Sequence, residues 1–364
     1  MPSPLDPLID DLFSAIDRGD NARFKACSGD IWNEVQRGDS PEVLTAAVQR
    51  IAPRLGLLHG IFAKTAVLAG AMVERGASPA ALAEPLPQRA FAAMKLHAMF
   101  PRLWAEAAEG RPPPDRRDTA QMARVCSTLQ GYARRAGRSE QFATFVALSW
   151  YDLDDWLDPM VAVMGQREFR LRMSHRSDVR DAAAALTGRS EGAGWVHGLA
   201  LVLDDEPLIA LDPATARGFR LTLGGVGDNF QLHTLLADRL IGDPAEGLLP
   251  GERPEPAWVA AATDAAPGPF PAPASIRRRF RLFDGHGAYV WPEGRPADIE
   301  PLDGTRVVVL HPPNGRFGWQ NGRVYQHMAP TLTLDRVMDR AEAAHWLSRV
   351  APARETDLMA GHRA

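Results

Sequence analysis

The chain has 364 residues, enough for two domains of ordinary size or one large one. Its 45% hydrophobic and 24% charged residues belong to a globular protein and exclude a disordered one. A net charge of −4 argues against a protein built to grip nucleic acid through its phosphates.

Arginine supplies almost all the positive charge; Lys25, Lys64 and Lys95 are the only lysines. With abundant Ala, Gly and Pro, this reads as coding bias and not as a recognition strategy. Cys27 and Cys126 stand alone in helical contexts, giving neither a disulfide framework nor a zinc knuckle. A reducing, cytoplasmic compartment is the simplest expectation. The acidic start "MPSPLDPLIDD" has no charged n-region followed by an apolar core, so no secretory leader is expected.

In chain order, helices are predicted over Leu5–Arg18, Asn21–Gln36 and Pro41–Arg50, the last with Ser40 as N-cap and proline at its first position. "LGLLHGIFAKTAVLAGAMV", Leu55 to Val73, is nearly long enough to span a bilayer. A central lysine costs about 3 kcal/mol on insertion, so Lys64 makes a buried helix the better reading. A helix starting at Ser78-Pro79 breaks near Pro85 and Pro87 and resumes to about Glu109; others are predicted over Thr119–Ala136 and Glu140–Ser174. After Gly192, "WVHGLALVLDDEPLIALDPATARGFRLTLGG" reads as three short extended segments separated by turns. A helix over Asp228–Ile241 follows, then strands near Arg278–Phe283, Ala288–Trp291, Thr305–His311 and Thr331–Val337, and a helix over Asp339–Val350. The fold class is α+β: a helical bundle or hairpin stack over residues 1–190, then a small mixed or antiparallel sheet domain over 191–350. A Pro-, Ala- and Gly-rich connection at about 243–274 interrupts the second domain as a lid or surface wrap, and 351–364 is a polar tail.

"LGGVGDNFQLHTLLADRL", Leu223 to Leu240, has the glycines of a phosphate loop, but Phe230 takes the third-glycine position and no Gly-Lys-Ser/Thr follows. Asp228 and Gln231 instead have capping-box spacing. His233 falls at the margin of the helix's leucine stripe, either as a boundary residue bonded to backbone or as a working histidine. An enzymatic site would draw on His233 and Asp228 together with His286, in the turn "FDGHGAYVW", and His311, at the end of "RVVVLH". Trp291, Arg295, Arg316 and Trp319, in Trp-, Arg- and Gly-rich loops, are the candidate binding anchors.

"SWYDLDDWLDPM" places Asp154, Asp155 and Asp158 in a DDxxD arrangement, with Asp154 and Asp158 on one helical face. It resembles the aspartate-rich motif of isoprenoid synthases, and that resemblance implies magnesium held by the three aspartates and diphosphate chemistry. It covers five residues, no second aspartate-rich motif follows, and Pro159 predicts a bend or restart of the helix. The leading expectation is a binding or accessory protein using the loops of the sheet domain and the interdomain cleft. Its partner would be a protein or small molecule, with no nucleic acid and no membrane; the sequence names no cofactor.

Overall fold

The computed structural model describes residues 4–263, 275–315, 318–320, 325 and 328–354, with the side chains of 275, 276 and 318–320 left aside. The chain forms two compact units, Met1–Ala200 and Leu201–Ala364.

Ten helices build the first unit: α1 Leu5–Arg18, α2 Asn21–Arg37, α3 Pro41–Ile51, α4 Lys64–Glu74, α5 Pro85–Ala107, α6 Met122–Arg135, α7 Glu140–Met164, α8 Arg167–Arg172, α9 Arg176–Ala184 and α10 Glu191–Ala200. The centre is α7, which packs against α4, α5, α6 and α10. Its apolar residues run round most of its circumference, as a helix enclosed by others requires. Ser139 caps its start through a 3.1 Å bond from Phe142 N–H. The helix does not restart at Pro159 but continues to Met164. Pro159 lies against α4 where Gly70 leaves room; a Cβ on Gly70 would come within 2.9 Å of the Pro159 Cα.

The apolar run from Leu55 is not one helix. Two 3-10 turns, Ala52–Leu57 and Gly60–Ala63, precede α4; His59 between them is extended, and Gly60, which opens the second, is left-handed at φ +59°. Lys64 therefore opens a helix instead of lying inside one, and no helix among the described residues is long and apolar enough to cross a membrane. The segment "WVHGLA" is also helical, within α10, and not extended. Ser190 caps it with a 3.2 Å bond from Ala193 N–H, and Val196, Leu199 and Ala200 are buried at helical spacing.

The second unit holds β1 Glu206–Asp212, β2 Arg217–Gly224, α11 Asn229–Leu240, α12 Pro256–Thr263, β3 Ser275–Arg277, β4 Arg281–Asp284, β5 Pro301–Leu302, β6 Thr305–His311, β7 Gly318–Gln320, β8 Thr331–Val337 and α13 Arg340–Leu347. Six strands make a mixed sheet in the order β4-β6-β1-β2-β8, with β5 on β6; β1 and β6 run parallel and the other pairs antiparallel. Strand alternation sends Leu208, Leu221, Val308 and Leu310 to one face, under Leu232, Leu236 and Leu240 of α11. Ile209, Leu211 and Val307 go to the other face, against Ala343 and Trp346 of α13. The Pro-rich connection contains α12, whose Ala261 and Ala262 are buried; residues 264–274 lie outside the described set.

Candidate functional site

The glycine-rich turn is a strand-to-helix reversal. Gly225 is left-handed at φ +66°, and a Cβ on it would meet the Ala329 carbonyl oxygen at 3.0 Å. Asp228 is the N-cap of α11, accepting from Gln231 N–H at 2.8 Å. The Gln231 side chain reaches back one residue further than in the standard box, accepting from Gly227 N–H at 2.8 Å. Burial pushes the Asp228 carboxyl up to about 6, against the backbone N–H groups that hold it down.

His233 is 3% exposed. Its Nε2 accepts two backbone N–H groups, Arg279 at 2.9 Å and Phe280 at 3.1 Å, which fixes the proton on Nδ1. Burial, reinforced by Arg278 and Arg279, pushes it down to about 3. The imidazole joins α11 to the chain entering β4.

The structure does not gather His233, His286 and His311. His311 packs edge-on against Phe283 at 5.0 Å, on the sheet face away from the Val308 and Leu310 layer under α11. His286 sits beyond the opposite end of β4, in a turn where Asp284 accepts from His286 N–H at 2.9 Å and Ala288 N–H at 2.8 Å.

Asp228, Trp291 and Arg295 do share one neighbourhood. Asn229 donates its side-chain amide to Trp291 O at 2.8 Å and its backbone N–H to Gly294 O at 2.9 Å, so the first turn of α11 holds the 291–295 loop. Buried Tyr325 takes a hydrogen bond from the Arg295 side chain; burial raises its hydroxyl above the usual value, Arg295 opposes this, and Asp228 adds to it. Trp291 remains 41% exposed, edge-on to Tyr289. Arg316 and the Trp319 side chain lie outside the described residues.

In the helical unit, Asp154 faces solvent and meets Arg116 at 3.4 Å. Asp158 is also exposed, whereas Asp155 is half-buried. Burial raises the Asp155 carboxyl to about 6, Lys64 opposing it. Among the described residues no group of three or more His, Cys, Asp or Glu is placed to hold a metal ion.

Asp155 instead borders a recess of about 530 Å³ that sequence reasoning missed. At its inner end Asp152 is 2% exposed and accepts from Gly60 N–H at 2.8 Å. Burial drives this carboxyl up to about 7, with Arg89 and the Gly60 N–H pulling the other way. His59 borders the same recess, stacked on Phe145 at 4.2 Å. Its Nδ1 accepts from Arg89 Nη2 at 2.7 Å, leaving the proton on Nε2, and burial followed by the Arg89 charge pushes it down to about 4. Arg89 is itself buried over the Trp156 ring and donates Nε to Leu58 O at 3.1 Å. One signal for this site was present: Asp152 lies four residues before buried Trp156 and three after buried Ser149, on the inward stripe of α7.

Comparison of the chain with protein-family models, characterised proteins and solved structures finds no match.

Proposed function

We propose that the protein works by binding, and that its sheet unit presents the 291–295 loop to a partner protein in the cytoplasm. One observation carries this: the loop is fixed from behind by Asn229 through both its backbone and its side chain, yet leaves a tryptophan 41% exposed. A large aromatic on a loop that need not be ordered on binding contributes contact area at low entropic cost. Tryptophan and arginine, both carried by this short loop, are among the residues that dominate protein interfaces, which favours a protein over a small molecule as partner. The near-neutral charge gives no support to a nucleic-acid partner.

The test is affinity capture from extract on the immobilised full chain, compared with Trp291→Ala and with Trp195→Ala, which removes another tryptophan that is 41% exposed. A partner retained by the wild type and the Trp195 variant but lost by Trp291→Ala supports the reading. Identical capture by all three overturns it. Losing the Tyr289 contact costs Trp291→Ala about 1 kcal/mol of stability, so the variant remains folded.

A further inference from the structure

The recess of the helical unit has the make-up of a small-molecule site. Its volume of about 530 Å³ lies within the range of ligand pockets, roughly 300–1,000 Å³, and its wall is mainly apolar, Phe62 and Leu148 among it. Its carboxyl and ammonium groups are sorted by depth. The carboxyls are inside: Asp152 is 2% exposed and Asp155 half-buried. Both ammonium groups belong to exposed residues, Lys25 and Lys64, at the rim. Two of the chain's three lysines thus line one recess, in a protein that otherwise uses arginine.

Asp152 is also incompletely matched. Oδ2 takes the Gly60 N–H, while Oδ1 lies near the Trp156 indole N–H without a well-formed hydrogen bond to it. Arg89, a buried cation whose charge acts on Asp152, donates to Leu58 O and His59 Nδ1 and forms no ion pair with Asp152 among the described residues. The hydroxyl of Tyr151, a half-buried residue lining the same recess, has no hydrogen-bond partner among the described residues. Buried polar atoms are rarely left this way, because each unmade bond forfeits the desolvation already incurred.

We propose that this recess binds a zwitterionic ligand of the free α-amino-acid class with an apolar side chain. Its ammonium group enters towards Asp152 and Asp155, its carboxylate stays at the rim with Lys25 and Lys64, and its side chain lies along Phe62 and Leu148. The order follows from burial: the cation goes where the protein's anions are least solvated, and the anion stays where the lysines remain in water. Reversing the ligand would place its carboxylate against buried Asp152 and half-buried Asp155.

Calorimetric titration of the full chain near pH 7.5 with L-phenylalanine, phenethylamine and 3-phenylpropionate tests each contact. The expected result is binding of L-phenylalanine, at least tenfold loss on removing its amine, and a smaller loss on removing its carboxylate. Asp152→Asn keeps an acceptor for the Gly60 N–H and weakens L-phenylalanine at least tenfold. The double variant Lys25→Gln/Lys64→Gln, confined to exposed side chains, weakens L-phenylalanine several-fold and leaves phenethylamine unchanged. No heat with L-phenylalanine at millimolar concentration overturns the proposal. So does 3-phenylpropionate binding as tightly as the amino acid, or unchanged affinity in both variants.

Discussion

Asp228 of the sheet unit and Asp152 of the helical unit are both buried, and each accepts a backbone N–H at 2.8 Å, from Gln231 and from Gly60. Burial raises both carboxyls, to about 6 and about 7. Their partners differ in sequence distance. Asp228 accepts from a residue three positions on to cap its own helix, and the Gln231 side chain, accepting from Gly227 N–H, completes a local turn. Asp152 lies within α7 and reaches 92 residues back to hold Gly60 at the extended-to-left-handed break before α4. The histidines repeat the contrast: His233 is enclosed and joined to two N–H groups of the β4 approach, whereas half-buried His59 borders a recess. A raised carboxyl or lowered imidazole therefore marks burial first, and only the space beside it separates a structural bond from a binding group.

The largest expected effect tests the structural side. His233→Ala removes the acceptor for two backbone N–H groups, one of them on buried Phe280, and leaves a void beside the leucines of α11. A loss of about 3 kcal/mol is expected from denaturant unfolding. A loss below about 1 kcal/mol would mean that water takes over both N–H groups, and that the imidazole is not needed to join α11 to β4.

Next in size is a pH effect at Asp152. Its folded-state value is raised from the ordinary 3.8 to about 7. The folded chain therefore keeps this proton where the unfolded chain has lost it, and its contribution to stability declines as pH rises from about 4 to about 7. Asparagine has no such decline. The stability of Asp152→Asn relative to wild type should rise by about 2 to 3 kcal/mol between pH 5 and pH 8. His59 moves oppositely, since its lowered value makes stability fall as pH drops from about 6.5 towards about 4, but it is common to both proteins and cancels in the difference. Parallel pH profiles for the two proteins would remove Asp152 from the set of buried ionising groups.

Local chemistry made much of the fold legible. Leu5–Arg18, Thr305–His311 and Thr331–Val337 run as the sequence predicts, and α11 starts where Asp228 and Gln231 indicate. The readings that failed depended on distant partners. "WVHGLA" has enough Val and Leu for a strand, and packing within the helical unit decided for a helix. The run through Lys64 is apolar enough for one long helix, but Asp152 fixes its break from α7. In "SWYDLDDWLDPM" the spacing draws attention to Asp154, Asp155 and Asp158, while the aspartate on the buried stripe is Asp152. Periodicity carried that information; motif spacing did not.

The smallest effect separates the two roles a buried cap can have. Asp228→Asn keeps an oxygen for the Gln231 N–H and removes the charge whose burial raises this group to about 6. Asp228→Ala removes both. If Asp228 serves only to start α11, the asparagine variant at pH 7.5 should match or slightly exceed wild-type stability. The alanine variant should fall about 1 kcal/mol below the asparagine one, the usual worth of an N-cap. Both are read from thermal unfolding of the full chain. Tyr325 supplies the other possibility, because its hydroxyl lies in the field of Asp228 and takes a hydrogen bond from Arg295. A negative charge there helps to hold Arg295, so an asparagine variant clearly less stable than wild type would show that the charge, and not the cap alone, orders the loop carrying Trp291. In that case the sheet unit would use its buried carboxylate to position a binding surface, and the contrast with Asp152 would narrow to the kind of ligand each one serves.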